Sequence, residues 1–168
     1  RGMRVQFTKK AMDEKGFTYM PIATLRSPFS DRRGTPRQPL HVPAAKARIE
    51  FDVRRIQPAH FKELEEFSHV WLVWVFHDNT NEGTKNARVS MAKVAPPRLK
   101  GKKVGVLSTR SPHRPNNIGL SVCEVVNIGD TYIEVAACDM VDGTPILDIK
   151  PYIPYDIIET SQPLSSLL

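Results

Sequence analysis

Arginines, amides and aspartates gather in two stretches of this chain. The first, 109–119, sets Arg110, His113, Arg114, Asn116 and Asn117 around Pro112 and Pro115. The second, 139–152, holds Asp139, Asp142, Asp148 and Lys150 with Gly143, Pro145 and Pro151. Guanidinium forks suit carboxylates and phosphates. Arg110 and Arg114, with Asn116, can therefore bind an anionic ligand, or they can tie loops together through carbonyls and the nearby aspartates. Clustered carboxylates can chelate a hard cation, but Asp142-Gly143 is also a strong turn pair. His69 reads as a satisfied core histidine, whereas His77, beside Asp78 at the end of an apolar run, is placed for ligand contact. Proline fixes φ and removes a donor, so both stretches read as rigid loops rather than helices or central strands.

Several common chemistries lack their signatures. No Gly-x-Gly-x-x-Gly follows the first strand, and no phosphate-binding Gly-x-x-x-x-Gly-Lys-Ser/Thr is present. No serine has a Gly-x-Ser-x-Gly setting. His41, His60, His69, His77 and His113 show no metal-ligand spacing, so no metal site is expected. Cys123 and Cys138 form no Cys-x-x-Cys and lie in apolar runs, which reads as buried thiols in a reducing cytosol. A net charge of +6 and a pI near 9.5 favour a polyanionic partner such as RNA. The longest apolar run, 70–76, is far short of the roughly 20 residues of a membrane helix, and residues 1–16 lack an apolar signal core. A cytoplasmic protein with no membrane segment follows.

The elements that must carry these residues are short. Fourteen prolines against nine glycines, with few long periodic segments, argue against an all-helical chain. Strands are expected at 17–25, 47–53, 70–76, 103–107, 121–128 and 132–137, with a weaker one at 87–94. The segment 70–76 is apolar throughout and reads as buried on both faces. Gly129-Asp130 signals a hairpin. One helix is expected at 58–67, opened by Pro58, with Phe61 and Leu64 on one face. Residues 26–45, with four prolines and four arginines, read as a long ordered basic loop, and 77–86 as a mobile one. The fold class is mainly β: a small closed or partly open β-barrel with one or two short helices. The expected organisation is a flexible arm over 1–16, one barrel domain over 17–160 and a tail over 161–168.

The residues also carry a family resemblance. It runs from about Tyr19 to Asp156 through Pro21-Ile22, Arg26-Ser27-Pro28-Phe29, Pro36-Arg37-Gln38-Pro39, Leu64-Glu65-Glu66-Phe67-Ser68-His69-Val70-Trp71, Phe76-His77, Pro96-Pro97-Arg98-Leu99, Gly105-Val106, the two polar stretches, and Ile153-Pro154-Tyr155. In these strings the chain resembles the TrmO (TsaA-like) family of S-adenosylmethionine-dependent tRNA methyltransferases. The resemblance implies a mostly-β barrel and methylation of N6 of threonylcarbamoyl-adenosine at tRNA position 37. It implies a homodimer, with cofactor bound near the subunit interface by Pro36, Arg37, Gln38, His77, Asp78, Arg110, Leu120, Asp142, Gly143, Thr144 and Pro145. Bacterial members often carry a further C-terminal domain, whereas here a Ser/Leu-rich tail follows the matched strings.

Adenine N6 is a weak nucleophile because its lone pair is conjugated with the ring. Its methylation is chiefly a positioning problem, aided by an acceptor for the N6 proton. Asp139 or Asp142 can be that acceptor, as can a backbone carbonyl. Arg26, Arg32, Arg33, Arg114 and Lys150 are candidates for phosphates of the anticodon stem-loop. The alternative expectation is a non-catalytic RNA-binding module of the same fold.

Overall fold

The computed structural model describes residues 17–31, 35, 44–78 and 91–156. Its centre is a closed antiparallel barrel of six strands. In chain order the strands are β1 (Ala23–Arg26), β2 (Ala47–Phe51), β3 (His69–Val75), β4 (Lys93–Val94), β5 (Val104–Gly105), β6 (Ile118–Ile128), β7 (Tyr132–Ala136) and β8 (Pro145–Pro151). The barrel runs β1-β2-β7-β6-β3-β8 and closes where β8 pairs with β1, Ala23 opposite Ile146. The short β4 and β5 form a separate ribbon. Closure leaves the six barrel strands no free edge, which a sheet this small would otherwise have to shield.

One interior face dictates the burial pattern. In β2, Ala47, Ile49 and Phe51 point in while Arg48 and Glu50 point out. β2 stops at Phe51 because the Asp52 carboxylate accepts the Arg54 N–H at 3.1 Å and the Asp52 carbonyl accepts those of Arg55 and Ile56, which turns the chain. The expected continuation to Val53 therefore fails, and Val53 lies exposed. β3 is apolar at nearly every position, yet only Val70, Leu72 and Trp74 are buried, the residues between them being half-buried. A run buried on both faces belongs to a sheet covered on both sides, and an antiparallel barrel fills only its interior. The core is built from Leu25, Ile49, Leu72, Ile133, Met140 and Ile146, with Cys123 and Cys138 among them. Both cysteines are free, and burial pushes the Cys138 thiol up to about 12 and the Cys123 thiol further still. They are packing groups, not nucleophiles.

Other expected elements are corrected as well. Residues 58–67 form no α-helix; they make two 3₁₀ turns, Pro58–His60 and Leu64–Glu66. Between them Glu63 sits at φ 67°, a left-handed conformation that interrupts helical propagation. The turns nonetheless deliver Phe61 onto Phe51, with ring centroids 4.7 Å apart. The second correction is β8, which lies within the stretch read as a loop. Its prolines stand at its first and last residues, where little ladder bonding is lost, and a bulge at Leu147 turns both Ile146 and Ile149 inward. Third, β6 begins inside the other stretch, at Ile118, three residues before the expected start. The first strand is shorter than expected, with Phe17, Tyr19 and Met20 exposed ahead of it. The expected strands at 87–94 and 103–107 survive as the two-residue β4 and β5, residues 87–90 lying outside the described residues. The hairpin at Gly129-Asp130 forms as expected, joining β6 to β7.

Gly119 is required where β6 passes Trp74. A Cβ there would collide with the indole ring, so the absence of a side chain is what lets Trp74 lie against its partner strand. Among the described residues, no helix is long and apolar enough to cross a membrane.

Candidate active site

Antiparallel order brings the polar stretches to one mouth of the barrel. The end of β1, the end of β3, the start of β6 and the segment from β7 into β8 all reach it. The link at 137–144 is tied to the residues after β1 by a dense set of bonds. The Ser27 N–H donates to Asp142 Oδ1 at 3.0 Å, and the Ser27 hydroxyl donates to the Met140 carbonyl at 2.8 Å. The Asp142 N–H donates to the Phe29 carbonyl at 2.7 Å, and the Gly143 N–H to that of Leu25 at 2.9 Å. Arg26 Nη1 stands 3.7 Å from Asp142 Oδ2.

Asp142-Gly143 is thus a turn, with Gly143 at φ 78° and Thr144, buried, closing it by donating its hydroxyl to the Val141 carbonyl at 2.6 Å. A left-handed conformation favours glycine there. His77 enters from β3, its Nε2 3.9 Å from where a Gly143 Cβ would stand. The Asn117 side chain donates to the Phe76 carbonyl at 3.0 Å and fixes the approach of β6 to that corner.

Asp139 stands differently from Asp142. Trp74 Nε1 donates to the Ser121 hydroxyl at 3.1 Å, and that hydroxyl donates to Asp139 Oδ1 at 2.9 Å. Burial pushes the Asp139 carboxyl above the ordinary carboxylate range, against the opposing pull of Ser121, of its own N–H and of the Arg110 charge. Arg110 itself is exposed, and Leu120 is exposed on the outer face of β6.

The mouth therefore gathers Arg26, His77, Arg110, Asp139, Asp142, Gly143, Thr144 and Pro145, with Leu120 on the outside. Asp78 follows His77 directly. Arg114 ties its loop together, donating to the carbonyls of Thr109 at 2.6 Å and Val106 at 3.3 Å. Lys150 lies further along β8, paired with Asp148 at 2.8 Å. Arg32, Arg33, Pro36, Arg37 and Gln38 lie outside the described residues. Asp139, Asp142 and Asp148 do not converge, because Asp148 turns outward to Lys150; among the described residues no group of three potential ligands could hold a metal ion. Ser27 and Ser121 were not singled out from the sequence. For Ser121 a signal existed: a lone hydroxyl on the inward-facing side of an otherwise apolar strand must have a partner.

A groove of about 880 Å³ lies at the other end, against the 3₁₀ turns and the β6–β7 hairpin. Glu65, Glu66 and Asp130 outnumber Lys62 along it, which suits neither phosphate nor carboxylate. The mouth is the better chemical site. Its groups fit a methionine-derived sulfonium cofactor: Arg110 for a carboxylate, exposed Ile118 and Leu120 for apolar parts, and Asp139 with nearby carbonyls beside a cation.

Known proteins match at the level of family. A curated human protein named tRNA (adenine(37)-N6)-methyltransferase is 44% identical over 147 residues, covering 86% of this chain and 32% of that protein. The Escherichia coli protein of the same name is 36% identical, covering 83% of this chain and 59% of its own. A probable S-adenosyl-L-methionine-binding protein of Pyrococcus abyssi is 34% identical, covering 84% and 71%. The chain thus spans from about a third to three-fifths of the length of the two curated methyltransferases. A crystal structure titled TrmO superposes with a TM-score of 0.71 at 34% identity, covering 92% of this chain and 65% of that one. TrmO from Pseudomonas aeruginosa gives 0.70 at 33%, covering 89% and 61%. The tRNA-methyltransferase O N-terminal domain matches residues 24–156, the barrel from its second residue onward with its mouth, and the chain belongs to that family.

Proposed function

We propose that this chain transfers a methyl group from S-adenosylmethionine to N6 of the threonylcarbamoyl-adenosine at tRNA position 37. The observation that carries the reading is a half-buried Asp139, bonded through Ser121 to Trp74, at the mouth of a barrel of this family, with the Arg110 charge near enough to act on it. The cofactor supplies an electrophilic methyl on sulfur. Arg110 and Arg37 are proposed to pair with its carboxylate bidentately. His77, Asp78, Leu120, the 142–145 turn, Pro36 and Gln38 are proposed to enclose the rest.

Asp142 braces the turn against Arg26 and Ser27, so its loss should act first on cofactor binding. Arg26, Arg32, Arg33, Arg114 and Lys150 are proposed to meet anticodon-loop phosphates, where an unpaired adenosine can be approached with little unstacking. The basic charge supports that docking.

The fit also favours a homodimer. Ile118 and Leu120 project side by side from β6, exposed, on the same outer face as Val73 and Val75 of β3. A second copy covering that strip would complete the cofactor pocket from outside the barrel. Leu120→Asp is expected to give a monomer by light scattering and to weaken cofactor binding at the same protein concentration; an unchanged dimer would remove this interface. We read residues 17–160 as one domain, between an arm and a tail, working in the cytoplasm.

The decisive experiment is mass spectrometry of nucleosides from tRNA incubated with protein and cofactor, using tRNA with and without the threonylcarbamoyl group. N6-methylated product from the modified tRNA is expected. In parallel, cofactor at 100 times its dissociation constant should stabilise the fold by about 2.7 kcal/mol. The absence of both product and thermal shift would refute the reading; tRNA binding without product would instead favour the non-catalytic module.

A further inference from the structure

We propose that Asp139 is the group that takes the N6 proton and that Ser121 is its positioning residue, holding it through a chain that starts at Trp74. The inference rests on the methyl-transfer reading and decides between the two carboxylates at the mouth. Three observations separate them.

First, the chain has a defined direction. Indole Nε1–H is a donor only, so the Ser121 oxygen accepts from Trp74 at 3.1 Å and its single O–H is left to donate to Asp139 Oδ1 at 2.9 Å. Second, the chain is rigid and dry: Ser121 is 5% exposed and Trp74 8%. Gly119 lets the indole lie against β6, so Trp74 has little room to turn away from Ser121. Third, Asp139 keeps capacity to accept. A carboxylate has about four acceptor positions, and Ser121 and the Asp139 N–H account for two. Asp142 has as many partners, but they lie on both of its oxygens and span the turn, the Ser27 N–H on one and the Arg26 guanidinium facing the other, so it is held across the mouth rather than aimed into it. Its role is to hold the turn.

In the proposed step the N6 lone pair forms the bond to the methyl carbon while the electron pair of the breaking carbon–sulfur bond stays on sulfur. The N6 proton passes to an Asp139 oxygen, leaving a neutral carboxylic acid, a neutral thioether and a neutral methylated amide nitrogen. Asp139 is the better acceptor because half-burial keeps it more basic than a solvated carboxylate, and Ser121 fixes where its free lone pairs point. The titratable and charged groups around it are Arg110, Cys123 and Cys138. Both thiols stay neutral across the physiological range and add no acid limb; the limb is assigned to Asp139 as Arg110 tunes it, and the Asp139 and Asp142 variants separate it from the rest of the mouth.

The test compares Ser121→Ala with the unaltered chain in two measurements. Carbon-13 carboxyl NMR follows the titration of Asp139 in the cofactor-free protein, and single-turnover methyl transfer to threonylcarbamoylated tRNA is followed across pH at saturating cofactor. Ser121→Ala should raise the Asp139 midpoint and shift the acid limb upward by the same amount. The plateau rate should fall roughly tenfold, part of the 10²–10⁴ a positioned base contributes, while the cofactor concentration giving half that rate, from a separate titration, stays within about twofold.

Should Ser121→Ala fail to fold, Trp74→Phe retains an aromatic ring in β3 but removes the indole N–H together with one of its two fused rings, so it is read on the Asp139 midpoint rather than on stability. It should move the midpoint the same way by a smaller amount. An Asp139 midpoint indifferent to both changes overturns the positioning role. An active wild-type chain whose acid limb disappears in Asp142→Asn but persists in Asp139→Asn overturns the assignment of the acceptor alone. A wild-type chain that moves no methyl group overturns the methyl-transfer reading, and the acceptor role with it.

Discussion

Asp139→Asn is expected to lower methyl transfer by roughly 10²–10⁴-fold, the range a positioned general base supplies, and to make the protein more stable at neutral pH. The two effects together are diagnostic. Asparagine retains a carbonyl oxygen for the Ser121 hydroxyl, so the buried chain stays satisfied, but it cannot take a proton. The stability effect follows from the direction of the Asp139 shift. Its folded-state value is raised above the ordinary 3.8, chiefly by desolvation. Its contribution to stability is therefore fully present below about pH 3.8 and is lost as pH rises through the folded value.

At neutral pH the wild type holds a carboxylate where burial disfavours charge, and the neutral amide relieves it. The variant should melt higher than wild type at pH 7, and the gap should close on acidification. The cofactor-induced rise in melting temperature should persist. Thermal melts at several pH values and single-turnover rates check this. A variant within about tenfold of wild-type turnover, short of what a general base supplies, would show that Asp139 is not the acceptor. A variant less stable at pH 7 would show that its burial carries no electrostatic cost.

Trp74→Ala is expected to destabilise the fold by about 3–5 kcal/mol, the cost of emptying a large core site. The ring is buried in β3, lies against Gly119 and packs edge-on against Phe76 with centroids 4.3 Å apart. Its loss leaves a cavity at the barrel mouth and takes the donor from Ser121, so activity should fall further than stability alone explains. Urea unfolding measures the first effect; turnover at a temperature where the variant remains folded measures the second. A cost below about 1 kcal/mol, the usual surface scale, would mean the ring is not a core residue. Trp71, half-buried on the opposite side of the same strand and donating to Asp156 at 2.9 Å, is the natural comparison and should cost less.

The paired effects bear on how the site is built. A group that is destabilising where it stands, held by a chain reaching into the core, is the arrangement expected where function and stability compete. Asp142 shows the opposite economy: partly exposed, facing Arg26 and bonded to the backbone of Ser27, it stabilises the loop it belongs to. Two aspartates three residues apart thus differ in role because one points into the barrel mouth and the other across it.

Much of this was legible in the order of residues alone. Alternation in 47–51 and the apolar runs of β3, β6 and β7 called for a small β-barrel, because only a strand period puts those side chains on one face. The hairpin at Gly129-Asp130, the turn at Asp142-Gly143 and the buried cysteines followed from local chemistry. Local chemistry also misled. Pro145, Pro151 and two charges, Asp148 and Lys150, hid β8, since strand propensity counts prolines against a segment without knowing that they fall at its ends. The helix expected at 58–67 was lost to two tight turns that place Phe61 on Phe51, a tertiary contact overriding periodicity. By itself the sequence determined the two polar, proline-stiffened stretches and the family they belong to. Only the tertiary structure decided that both reach one mouth, that Asp142 is a brace and that Ser121 faces Asp139. The reason is that strand pairing across a closed barrel joins residues 18 to 115 positions apart, and no local pattern encodes such separations.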